Sequence, residues 1–356
     1  MPMNTKSNSI SFKNQTFNIG IDVHKKSWKV TIRTNNLHLK TYSMDPVPAE
    51  LYKHMKNTYP DGIYQSVYES GFCGYWIHRE LAALGFQNII TNAADVPTSH
   101  KEKDRKDDYI DSAKLSRELE NKSLNGIYIL TTYQESLRSL SRFLKQYSKR
   151  NTQVKTRIKS FLAFLGATVP EALTISDWSR NYIKWLSELN FTEDANRFVL
   201  DEHIEELEHI RKKRLKLLKQ IRTISKTIST ISLLRTIPGL GQITAFALYT
   251  ELIDIKRFSD FSSLASYVGL VPSTSSSAEK MTVKGMTQRH NSHLRNILIE
   301  AAWIAARVDP AMTLAYNTLT KRMKKTRAII QIAKKLLNRI RYVWLHQKEY
   351  VPAVVE

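Results

Sequence analysis

The chain has 356 residues, with 54 Lys+Arg against 33 Asp+Glu, a formal net charge of +21 and 42% hydrophobic residues. Such a long-ranged positive field makes polyanions the expected partners, and no apolar run approaches the roughly eighteen residues of a membrane span. Residues 1–13 are polar and lack an apolar signal core, and Cys73 is the sole cysteine, so the expectation is a cytoplasmic protein without disulfides or a zinc site.

Residues 17–22 (FNIGID) read as a strand, and Trp28, Val30 and Ile32 alternate with Lys29, Thr31 and Arg33 in an antiparallel partner. A buried strand is predicted at 63–69 (IYQSVYE), broken by Gly71 and Gly74. A helix is expected over 75–84, stopped by Gly85, then a strand at 88–91 (NIIT). Asp108 and Asp111 open an amphipathic helix through Ala113, Leu115 and Leu119, and 127–130 (IYIL) is read as a last strand. Strands alternating with helices predict an α/β domain with a mixed sheet over residues 1–130.

Beyond it the texture is helical. Leu137, Leu140, Phe143 and Leu144 begin a long pattern reaching Phe164, and Ile204, Leu207, Ile210, Leu217 and Ile221 give 198–231 a heptad-like repeat. The two are expected to pair as an antiparallel coiled coil within a helical region at 131–232, with 166–190 as its tip. A dense basic run at 211–216 includes Lys212, Lys213 and Arg214. Both a solvated helix face and a nucleic-acid contact fit it. From 233 to 356 a third, mostly helical domain is predicted, with Pro238-Gly239-Leu240-Gly241 between apolar helices and a Ser/Thr loop at 273–277. The glycine turn resembles a helix-hairpin-helix, in which Gly239, Gly241 and a helix N-terminus present N–H groups to phosphate.

Four carboxylates carry the chemistry. Asp22 and Glu69 end strands, whereas Asp108 and Asp111 share one helix face, where like charges repel unless a cation intervenes. Hard oxygen ligands of this kind suit Mg²⁺ or Mn²⁺ at a phosphodiester. Asp104 and Asp107 have the same spacing, which leaves two registers one turn apart. Among the serines, a nucleophile toward phosphorus would need cationic neighbours, for which Lys280, Lys284, Arg289 and Arg295 are candidates. His290 and His293 read as polar loop residues rather than ligands.

Together, GIDVHKK at 20–26, YESGFCGYWIHREL at 68–81, DYIDSAKL at 108–115, LLRTIPGLG at 233–241 and YVGLVPSTSSSAEK at 267–280 resemble the DEDD transposases of the insertion sequence 110 family, including its 1111 subgroup, relatives of Piv-type DNA invertases. The resemblance spans nearly the whole chain. It implies an RNase H-like (RuvC-like) N-terminal domain whose metal-binding, catalytic tetrad is Asp22, Glu69, Asp108 and Asp111, because the family's second aspartate directly precedes a small residue, here Ser112. It also implies a C-terminal transposase domain with a serine five residues after the proline of its GL-x-P motif, which is Ser277, with Ser276 as the alternative nucleophile. Ala278 stands where the family has glycine, and His290 where it has glycine before Asn291.

In function, the resemblance implies a bacterial, nucleoid-associated transposase that cuts and rejoins donor and target DNA through a covalent phosphoserine. Its partners would be a structured guide RNA from the element and further copies of itself, as a dimer or tetramer, with no membrane. The rival readings are a Piv-like invertase, a metal-dependent Holliday-junction resolvase in which the serine is inert, and a non-catalytic nucleic-acid-binding protein.

Overall fold

The computed structural model describes residues 11–97, 108–174, 178–277, 280–286 and 290–352, with backbone alone at 108, 174, 272–277 and 280–286. Contacts divide the chain into two units, Met1–Leu130 and Thr131–Glu356.

The first unit runs β1 (Thr16–Val23), β2 (Trp28–Thr34), β3 (Leu37–Met44), α1 (Pro48–Thr58), β4 (Ile63–Glu69), α2 (Trp76–Ala83), β5 (Gln87–Thr91) and α3 (Asp108–Glu120). Its sheet has the order β3-β2-β1-β4-β5. Short turns make β1, β2 and β3 antiparallel, whereas the crossovers through α1 and α2 bring β4 and β5 back parallel to β1. Alternation along β1 sorts the two faces. Phe17, Ile19 and Ile21 pack with Leu51 and Met55 of α1 and Ile77 and Leu81 of α2. Gly20 faces the other way, toward α3, where Val67 and Leu115 form a smaller cluster.

Strands 17–22, 28–33, 63–69 and 88–91 and the helices at 75–84 and 108–119 thus appear close to their expected places. β3 and α1 carry no sequence signal of that strength, because β3 is an edge strand with exposed residues at most positions. The expected strand at 127–130 is absent. Ile127 donates one backbone hydrogen bond to Ile90 O (2.7 Å), and Leu130 O accepts from Arg79 instead of from a strand. The apolar character of the segment serves packing, with Ile127 and Ile129 against the main cluster of the unit.

The second unit contains α4 (Thr132–Phe164), α5 (Glu171–Thr174), α6 (Arg180–Glu188), α7 (Asp194–Ser225), α8 (Ser229–Leu234), α9 (Gln242–Leu252), α10 (Phe261–Val268), the hairpin β6 (Pro272–Ser277) and β7 (Lys280–Met286), then α11 (Ser292–Val308), α12 (Pro310–Thr320) and α13 (Lys325–His346). α4 starts with a capping box, Thr131 accepting from Gln134 N while the Gln134 side chain accepts from Thr131 N. It runs antiparallel to α7: Arg214 reaches Ser148 (3.5 Å) and Arg157 reaches Glu206 (3.3 Å). Val154, Ile158 and Leu162 meet Leu200, Ile204, Leu207 and Ile210 in the seam, joined by Tyr182 and Leu186 from α6.

Two expectations are corrected here. The second long helix ends at Ser225 rather than continuing to 231, because Ser225 and Thr227 hydroxyls bond back to Ile221 O and Ile224 O and compete with the helical ladder. Residues 273–277 are not a loop but strand β6, with Ser277 opposite Lys280. Thr274, Thr282 and Val283 favour extended backbone over the serine-rich flexibility that composition suggests.

Candidate functional site

The packing of α3 on β1 builds the acidic end of the sheet. A Cβ on Gly20 would lie 2.1 Å from Ser112 O and 2.5 Å from Ser116 N, so only glycine lets the helix settle this close. Ser112 and Ser116 are fully buried at the contact, and Ser112 Oγ bonds Thr31 Oγ1 (2.9 Å), which in turn bonds Thr41 Oγ1 (2.8 Å). This clamp fixes Asp111, the residue before Ser112, beside the carboxyl end of β1. Asp22 is the penultimate residue of β1 and Glu69 the last of β4, each one step beyond the Ile21–Tyr68 register pair of these parallel strands.

Three of the four expected acids are therefore brought together at one end of the sheet, and they sense one another. Burial pushes the Glu69 carboxyl above the ordinary carboxylate range; Lys114 opposes that shift, and the charges of Asp111 and Asp22 add to it. Lys114 Nζ stands 3.4 Å from Asp111 Oδ1 and is itself nearly buried, while His24 Nε2 lies 3.2 Å from Asp22 Oδ2. Among the described residues, no three His, Cys, Asp or Glu side chains stand close enough together to hold a metal ion. That statement covers Asp22, Glu69 and Asp111; the Asp108 side chain and all of Asp104 and Asp107 lie outside the described residues. Lys114 escaped sequence reasoning, although its place three residues after Asp111, on the same helix face, was the available signal.

In the second unit, the side chains of Ser276, Ser277, Lys280 and Lys284, and the whole of Arg289, lie outside the described residues. Residues further out on either side of their hairpin, Tyr267 before it and Asn291 after it, are described. Asn291 N donates to Tyr267 O (2.9 Å), Tyr267 OH donates to Glu251 O (3.4 Å), and Asn291 Nδ2 donates to Glu251 Oε2 (2.9 Å). Glu251, with only 1% of its side chain exposed, also accepts from Arg142 Nε (2.7 Å) and Arg142 Nη2 (3.0 Å), and Arg138 donates to Thr250 O and Glu251 O. Burial works to raise this carboxyl, but the hydrogen bonds from Arg142, the charges of both arginines and the Asn291 bond outweigh it and hold it below the ordinary range. Sequence reasoning missed this network; an acid inside the apolar run of α9 was its only trace.

Arg295 lies half-buried on α11, one turn after Asn291, to whose O its backbone N donates (3.1 Å). His293 is helical rather than a loop residue, correcting the expectation, and burial together with Lys145 lowers its pKa. His290 packs against Gly269, whose φ of +83° ends α10 in the left-handed region, and a Cβ there would lie 2.4 Å from His290 Cβ and 2.6 Å from its ring. Gly239 has φ +92° and is pressed against Ala301 O, so its conformation and close approach to α11 already require glycine. Gly241 caps α9 without a side-chain bond to the first-turn N–H groups. Lys212 and Lys213 are exposed on α7, and Arg214 points to Ser148 of α4. No described helix is long and apolar enough to cross a membrane.

Residues 231–317 match the Transposase IS116/IS110/IS902 family. Two Sinorhizobium fredii (strain NBRC 101917 / NGR234) proteins with transposase in their names are similar to this chain: y4qE is 27% identical over 66% of this chain and 57% of its own length, and y4rJ is 27% identical over 76% and 74%. The transposase for insertion sequence element IS1328 of Yersinia enterocolitica is 24% identical over 66% of this chain and 68% of its own. The chain thus spans less than two thirds of y4qE.

Proposed function

The chain belongs to the insertion sequence 110 family of transposases, and from that premise we propose that it cuts and rejoins DNA to move an insertion sequence. The supporting observation is the coupling at the sheet end, where Glu69 is held up by burial and by the negative charges of Asp111 and Asp22. Lys114 offsets part of this repulsion, and a divalent cation among the carboxylates would offset the rest. Asp22, Glu69, Asp108 and Asp111 would hold Mg²⁺ or Mn²⁺; their all-oxygen donor set fits such an ion, which would polarise phosphoryl oxygens. Sheet order β3-β2-β1-β4-β5, with α3 across β1, supports an RNase H-like domain for this set.

The chain's own part in the reaction is nucleophilic. Ser277, or Ser276, attacks phosphorus with its hydroxyl oxygen and gives its proton to a base or solvent; the P–O bond to one strand end breaks, that end leaves as an oxygen that takes up a proton to become a free hydroxyl, and the other strand end remains joined to the protein as a phosphodiester. Lys280, Lys284, Arg289 and Arg295 would offset charge on the phosphorane, and the Glu251–Asn291 latch at the hairpin roots would hold the strands carrying the serine. The working particle would be a dimer or tetramer. Gly239, Gly241 and the N-terminus of α9 would act as a helix-hairpin-helix on phosphate. Lys212, Lys213 and Arg214 on a coiled-coil region over 131–232 would bind donor and target DNA or a structured guide RNA, ahead of a transposase domain over 233–356.

Labelled substrate DNA, incubated with protein and Mg²⁺ and then denatured, tests the reading. A covalent protein–DNA adduct that disappears in Ser277→Ala and in Asp111→Asn is expected. Free nicked ends without adduct would favour the junction resolvase, whose support is that Asp22, Glu69 and Asp111 all lie in the first unit. An active Ser276→Ala, Ser277→Ala double variant would remove the serine mechanism.

A further inference from the structure

Lysines and exposed aromatic rings alternate around the acidic sheet end. Phe72, three residues past Glu69, is 64% exposed, and Lys25 Nζ sits 5.9 Å from its ring centroid. Tyr109, which follows Asp108, is 48% exposed, and Lys29 Nζ, on the residue paired with Asp22, stands 4.4 Å from its ring. Trp76 is also exposed, at the first turn of α2. Tyr109 OH donates to Thr41 O (3.4 Å) while about half of the residue stays exposed, and none of these rings belongs to the core, which is filled by Phe17, Trp28 and Tyr68.

We infer that Phe72 and Tyr109 stack unpaired nucleotides beside the acidic cluster while Lys25 and Lys29 take the neighbouring phosphates. Two aromatic–lysine pairs flanking carboxylates carry this inference, because a strand repelled by Asp22, Glu69 and Asp111 needs both counter-charge and a face to lie on. Bases within a duplex offer no open face, so the occupant is single-stranded. The inference rests on reading this sheet end as the DNA-processing site, but its binding step does not require metal.

The test uses the full chain in a chelating buffer with a single-stranded oligonucleotide bearing 2-aminopurine, whose fluorescence is quenched on stacking, in DNA and RNA arms. Wild type should quench it, and Phe72→Ala and Tyr109→Ala should each lose quenching and bind about tenfold more weakly. Phe72→Trp should restore both, and affinity for the matching duplex should change by less than about twofold. The arm that responds identifies the strand. Full quenching and affinity in both alanine variants, in both arms, would overturn the inference, as would equal losses on single strand and duplex. Asp111→Asn keeps the two readings separable: stacking should survive it, whereas an Asp111→Asn variant that still forms adduct would sink the acidic site and leave the stacking result standing.

Discussion

Glu69 ends the apolar segment IYQSVYE in the first unit and Glu251 sits inside AFALYTELI in the second, yet their surroundings push them in opposite directions. Glu251 meets Arg142, Arg138 and Asn291 and stays ionised below its ordinary range. Glu69 meets burial and two further acids, with Lys114 the one opposing charge, and is raised. A buried acid whose lone pairs are filled by arginine is part of the frame; one facing other acids has been left with a demand for positive charge.

The hardest blow to this contrast should come from Gly20→Ala, which forces Ser112 O and Ser116 N outward and shifts Asp111 relative to Asp22. Adduct formation should fall at least about a hundredfold, as misplacement near 1 Å does, with nucleic-acid affinity retained in a filter-binding assay. Wild-type rates would mean that α3 does not set the site. Glu251→Gln should cost about 2–3 kcal/mol in a urea titration, since it uncouples a buried carboxylate from two arginines. Because the folded value of Glu251 is depressed, its contribution is present above the unfolded carboxyl value and is lost as pH falls through the folded one. The variant should therefore converge on wild type in acid, and a pH-independent difference would refute the charge argument.

Smaller effects bear on the same contrast. Replacing Lys212 and Lys213 with Gln should flatten the slope of log affinity against log salt by about 1.8, two contacts at roughly 0.9 each; an unchanged slope would return that face to solvent. Glu69→Gln should stabilise the protein at neutral pH by less than about 1 kcal/mol after solvent screening. Its ionised form is the costly one in the folded state, so the gain should vanish as pH drops through the raised value. A destabilised Glu69→Gln in urea would show that this acid serves the frame as Glu251 does.

The sheet's inner strands were legible because the middles of β1 and β4 are buried and their acids end apolar runs. β3 was not, since an edge strand such as LHLKTYSM alternates nothing against a core, and 127–130 misled because Ile and Leu serve packing as readily as pairing. Asp22 and Glu69 could be named from strand ends, whereas helix spacing left Asp111 in one of two registers until the family resemblance chose between them, and the reason they converge could not be read at all. That reason is Gly20 fitting under Ser112, far along the chain. The Glu251 latch was equally invisible, as Arg142 lies 109 residues away.

The long helices of the second unit obey a rule of matched lengths. α4 and α7, of 33 and 32 residues, form an arm about 50 Å long at 1.5 Å per residue, with Leu144 and Ile221 in the main core at its base and a separate apolar cluster with α6 at its far end. Residues gained or lost in one helix alone would slide every seam contact past its partner. Relatives with longer or shorter arms should therefore differ in both helices together, by near-equal steps of about seven residues, making the arm a ruler that evolution can extend only from both edges at once.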